Sequence, residues 1–146
     1  MQKRLFFIVL MAFFAISPIV AENVEYLTTQ QFKETIFDYS IEKDWKYKGD
    51  KPCIIDFYTT WCGPCKQLAP IMEELSLTYA GQVVFYKVDT ERERELAYVF
   101  NITSIPQVLY IPLEGKPMIL KGLYPKENMI SIINEFLLQQ PINQYK

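Results

Sequence analysis

The chain has 146 residues, of which 50% are hydrophobic, 15% aromatic and 22% charged. That balance excludes a disordered tail or a fibrous repeat and suits one domain with a substantial core. The formal charge is −2 with acids and bases interspersed, there is no histidine and there are three cysteines, so a nucleic-acid footprint, Ser-His-Asp or Cys-His catalysis and a structural zinc site are all excluded.

Lys3 and Arg4 precede an almost unbroken apolar run from Leu5 to Val20, the layout of a secretory signal peptide. Ser17 and Pro18 break the run, and Ala21 is a small residue before Glu22, so cleavage is expected after residue 21, leaving a domain over 22–146. The apolar run is about sixteen residues where a membrane span needs about twenty, which leaves an uncleaved anchor as the alternative and the only route to a membrane. The first cysteine is Cys53, so the segment is no lipoprotein signal. Export implies a periplasmic or other extracytoplasmic space, where disulfides persist and a dithiol either makes them or must be supplied with electrons.

A strand is expected over Val24 to Leu27, with Thr28 or Thr29 capping a helix over Gln30 to Tyr39 that carries Phe32, Ile36 and Phe37 on one face. Glu42 to Pro52 is a polar connection with Gly49, Asp50 and Pro52 as loop signals. Cys53 to Tyr58 reads as a buried strand, and Cys62 to Tyr79 as a helix with Leu68, Ile71, Met72, Leu75 and Tyr79 at helical spacing and a kink at Pro70. Val83 to Val88 is another strand, Glu91 to Phe100 an exposed helix, and Gln107 to Ile111 with Met118 to Lys121 a hairpin. Pro125 suits the first turn of a last helix ending about Gln139, with Met129, Ile130, Ile133, Phe136 and Leu137 inward. The order β-α-β-α-β-α-β-β-α predicts an α/β fold, a central mixed sheet with helices on both faces.

Cys62 and Cys65, separated by Gly63-Pro64, fall where a buried strand turns into a helix. Unpaired N–H groups and the dipole at a helix N-terminus stabilise an anion, so Cys62 is the expected nucleophilic thiolate. Cys65, one turn further in, is the expected resolving thiol. The alternative is two core cysteines at chance spacing, which the strand–turn–helix context disfavours.

The run Asp56-Phe57-Tyr58-Thr59-Thr60-Trp61-Cys62-Gly63-Pro64-Cys65-Lys66, followed by Ala69-Pro70, resembles the active-site segment of the thioredoxin family, and the similarity spans residues 24 to 139. The resemblance implies the thioredoxin fold and a nucleophile that titrates near about 7, a reference value taken from thioredoxin itself. It also places a buried carboxylate at Asp56. An Asp in an apolar strand is costly unless paired and its pKa rises, which suits it to take the proton of Cys65 during resolution. Lys87 matches the family's strand lysine and is the candidate partner of Asp56, with a solvent-facing lysine as the alternative. Thr103-Ser104-Ile105-Pro106-Gln107 resembles the family's cis-proline loop, which implies a cis Pro106 and backbone pairing of Ile105 with an extended substrate. Gly122 matches a further rim position where a missing side chain admits the substrate backbone. Trp61, Gly63, Pro64, Ile105, Pro106, Gly122 and Leu123 would form an apolar rim for flexible protein segments.

Tyr58 departs from the tryptophan common in the family, and the Glu42 to Pro52 connection is longer than in the simplest members. Strand alternation puts Cys53 on the face opposite Asp56, where it reads as an inert core thiol, a regulatory disulfide being the alternative. Gly-Pro between the cysteines resembles reducing members, whereas oxidising relatives usually carry a histidine there. The expectation is therefore a protein-disulfide reductase acting on exported proteins as a monomer, with disulfide or dithiol proteins as partners, an unidentified electron donor, and no cofactor. A disulfide oxidase or isomerase, or a chaperone-like module using the apolar rim, are the alternatives.

Overall fold

The computed structural model describes residues 23–140; the expected signal segment over 1–21 and its expected cleavage site lie outside the described residues. Strand β1, Glu25–Tyr26, leads into α1, Thr29–Thr35. Thr28 is the cap: its hydroxyl accepts from Gln31 N at 3.2 Å, and the Gln31 side chain accepts from Thr28 N at 2.9 Å. This reciprocal pair satisfies two N–H groups that the first helical turn would otherwise leave open. The helix stops at Thr35 rather than Tyr39, because Phe37 N reaches back to Phe32 O at 3.0 Å and Asp38 accepts from Ser40 N at 3.0 Å, a local turn that competes with helix.

The remaining elements are β2, Cys53–Tyr58; α2, Gly63–Thr78; β3, Val84–Asp89; α3, Arg94–Val99; β4, Gln107–Ile111; β5, Met118–Lys121; and α4, Lys126–Ile132. Helix α2 passes through Pro70, which has no N–H to continue the ladder there. Helix α4 widens into a π-helical segment, Ile133–Leu137, where Leu138 N bonds to Ile133 O at 2.9 Å.

The sheet order is β1-β3-β2-β4-β5, with β1, β3 and β2 parallel and β4 and β5 antiparallel to their neighbours. Helices lie on both faces, and each face has its own core. Ile54, Phe85, Val108 and Tyr110 pack under α2 and α4 through Leu68, Met72, Leu75, Met129 and Ile133. Cys53, Ile55, Phe57, Val88, Leu109 and Ile111 pack under α1 and α3 through Phe32 and Leu96. Helices as short as α1 and α3 are unstable alone, so they depend on these contacts. Phe32 and Leu96 are both 0% exposed, and burying each side chain contributes about 1.5–3 kcal/mol.

The connection before β2 does more than link elements. Trp45 packs on Phe37 with ring centroids 4.8 Å apart, and the Tyr47 hydroxyl donates to Lys51 O at 2.6 Å, so the segment extends the α1 face of the core. No helix among the described residues is long and apolar enough to cross a membrane.

Candidate active site

Strand β2 is central and buried on both faces, so its end is a fixed point from which Thr59 to Trp61 turn the chain into α2. Cys62 is the N-cap of that helix, and its Sγ accepts from Cys65 N at 3.2 Å. A helix start thus directs a backbone donor at sulfur, the arrangement that favours negative charge there. Cys62 and Cys65 are joined by a disulfide across a Cα–Cα distance of 5.2 Å, so the molecule is in its oxidised form. Gly63 and Pro64 fill the first turn, where a proline's missing N–H costs nothing.

Asp56 projects from β2 to the α2 side of the sheet and is 4% exposed. One carboxyl oxygen, Oδ1, is buried without a hydrogen-bond partner. Burial pushes the Asp56 carboxyl up to about 7, against the smaller opposing pull of Lys87. A cavity of about 110 Å³ is lined by Asp56 and Cys65 together with Lys87 and Glu73, so carboxyl and inner sulfur share one space large enough for water.

Lys87, the candidate partner of Asp56, is its cross-strand neighbour and pulls on its carboxyl without a contact ion pair. Its Nζ lies 3.9 Å from Glu73 Oε1 and 4.3 Å from the centre of the Tyr26 ring, and no ion pair joins it to Asp56 among the described residues. Its charge acts on the carboxyl through space.

The rim forms around the disulfide. Trp61 is 65% exposed, and its indole Nε1 donates to Glu91 Oε1 at 3.0 Å, which fixes the ring. The Ile105–Pro106 bond is cis, and Gln107 Nε2 donates to Ser104 O at 2.8 Å, tying that loop to the start of β4. Gly122 N donates to Pro106 O at 2.8 Å and so brings the end of β5 beside the proline. Gly122 has φ +97°, a conformation that strains any residue with a Cβ, and the space where a Cβ would stand is open. Leu123 follows it, exposed. The sequence offered no signal for Glu91 or Gln107 as supports, because each acts through a contact between segments distant in the chain or around a turn.

Cys53 is fully buried on the α1 face, opposite Asp56 and the disulfide. Burial pushes its thiol up to about 12, partly offset by a hydrogen bond with Tyr47. A thiol held that far from ionisation is inert at neutral pH.

Known proteins share this architecture and sequence. The thioredoxin family model matches residues 23–135. The chain is 44% identical over 110 residues to a thioredoxin of Borreliella burgdorferi, covering 75% of this chain and 94% of that protein. It is 35% identical over 85 residues to a thioredoxin of Staphylococcus aureus, covering 58% of this chain and 81% of that one. With the chloroplastic M-type thioredoxin of Spinacia oleracea the identity is 34% over 95 residues, 65% of this chain but only 52% of that protein. The crystal structure of chloroplastic thioredoxin z superposes with a TM-score of 0.66 at 25% identity, over 77% of this chain and 93% of that one. The match to a bacterial relative along nearly its whole length, together with a paired Cys62 and Cys65 at a helix start on this sheet, means that the chain belongs to the thioredoxin family and is a protein-disulfide reductase of the thioredoxin type.

Proposed function

We propose that the protein reduces disulfides in exported proteins, with Cys62 as nucleophile, Cys65 as resolving thiol and Asp56 as proton acceptor. The observation that carries the reading is the shared cavity that holds Asp56 beside Cys65, behind a Cys62 sulfur that receives a helix N-terminal N–H. The Cys62 thiolate attacks one sulfur of a substrate disulfide, forming a mixed disulfide and expelling the other substrate sulfur as a thiolate. Cys65 gives its proton to the Asp56 carboxylate and attacks Cys62 Sγ. The Cys62–Cys65 disulfide forms, and the second substrate sulfur leaves and is protonated. Two electrons and two protons from a dithiol donor return the pair to its starting state.

Substrate docking falls to the exposed Trp61 ring, to Gly63 and Pro64, and to the Ile105–Pro106, Gly122 and Leu123 edge, with the Ile105 backbone pairing to an extended segment. The basic start and apolar run of residues 1–21 support an extracytoplasmic site of action.

Two measurements test the reading. The full chain with Cys65→Ser, expressed with its leader, is expected to accumulate mixed disulfides with exported proteins that a reductant releases; adducts confined to cytoplasmic proteins would reject the export reading. The reduction potential of the Cys62–Cys65 couple is expected near thioredoxin's reference value of about −270 mV, and a value of about −120 to −180 mV would point to disulfide formation or shuffling instead.

A further inference from the structure

The row of side chains beside Asp56 contains a residue the mechanism has not used. Tyr26, Lys87 and Asp56 stand side by side on β1, β3 and β2, and parallel register turns all three to the α2 face. The Lys87 ammonium lies over the Tyr26 ring, 4.3 Å from its centre, where the electron-rich face attracts a cation. Glu73 of α2 holds it from the other side at 3.9 Å.

We propose that Tyr26 is a positioning residue that holds the Lys87 ammonium at the mouth of the Asp56 cavity, away from the carboxyl, and thereby keeps Asp56 able to accept a proton. The groups that face Asp56 are Lys87 from β3, Tyr26 from β1, Tyr58 from its own strand, Cys65 and Glu73 from α2, and Tyr110 from β4. Lys87 is the only cation among them. A lysine in contact with a buried carboxylate lowers its titration by about one to three pH units, which would leave it ionised and a poor proton acceptor near neutrality. With the ammonium parked on the ring, burial outweighs the attraction, as the elevated value of about 7 reflects.

The catalytic consequence rests on Asp56 being the proton acceptor, whereas the electrostatic one does not, so the first readout is Asp56 itself. The carboxyl carbon of Asp56 would be titrated by ¹³C NMR in the oxidised full chain. Tyr26→Leu is expected to lower the midpoint by about half to one pH unit, and Tyr26→Phe, which keeps the ring, to leave most of it in place. Lys87→Met should raise the midpoint, and adding Tyr26→Leu to Lys87→Met should change nothing further. Tyr26→Val, a strand-favouring replacement, serves as a second ring-less variant. An unmoved midpoint in both ring-less variants, or an equal drop with and without Lys87, would overturn the proposal, the latter because the ring would then act by excluding water. The pH profile of release from the mixed disulfide should follow the midpoint. A shifted midpoint with an unshifted profile would keep the Tyr26–Lys87 assignment and reject Asp56 as acceptor.

Discussion

Asp56→Asn should stabilise the oxidised protein at alkaline pH and lose that advantage as the pH falls. The native carboxyl titrates at about 7 against an ordinary 3.8, so between those values the folded chain keeps a proton that the unfolded chain releases. Stability from this group is therefore full below about pH 4, declines as the pH rises, and is lost above about 7, where a buried carboxylate must be carried. The raised titration corresponds to about 4 kcal/mol in all, of which about 3 kcal/mol falls between pH 5 and 8.5. Asn adds the burial of an amide, about 1–3 kcal/mol if unpaired, but that term does not vary with pH. The chain has no histidine, and the remaining groups that titrate in this window are common to both proteins and cancel in their difference. Urea unfolding of both proteins at pH 5 and 8.5 and fixed salt should show the difference between them growing by about 3 kcal/mol toward high pH. A difference that stays constant would refute the reasoning, since it would mean that Asp56 titrates alike in the folded and unfolded chains.

Three further outcomes follow from the packing. The reduced native protein should react with iodoacetamide only within the Cys62–Cys65 pair, with Cys53 labelled on unfolding; a label on Cys53 in the folded protein, located by mass spectrometry, would show that Cys53 is accessible. Thr28→Ala should cost about 1 kcal/mol in urea unfolding through loss of the reciprocal cap on α1, and no loss would mean that the cap is idle. Leu96→Ala should cost about 2–5 kcal/mol, because a fully buried side chain on a short helix leaves a cavity against the sheet; a change under about 1 kcal/mol would contradict its place in the core.

The order of elements was legible because each carries its own period. Cys53 to Tyr58 reads as a continuous apolar run since β2 is covered on both faces, and α2 repeats its apolar residues at helical spacing. Element ends were less legible. Ile36 and Phe37 continue the apolar pattern of α1 and are buried, yet they lie beyond its end, because burial fixes which side chains point inward and not how the backbone reaches them. Trp45 and Tyr47 sit in a stretch that reads as polar, and only the fold shows them packed on the α1 face of the core, Trp45 against Phe37. Within the site, Cys62, Cys65 and Asp56 are marked by short-range spacing. The outward turn of Lys87 is not, because strand alternation gives the face of a long side chain but not where its charged end comes to rest.

The burial of Cys53 behind β2 bears on how a stalled reaction could be cleared. One sheet layer stands between that sulfur and the face carrying α2, whose start holds Cys62, and only that far side meets the substrate. A protein caught on Cys62 therefore has a single intramolecular exit, through Cys65. The sheet works as an insulator between two kinds of thiol, allowing the chain to keep a third cysteine without opening a side circuit for disulfide exchange.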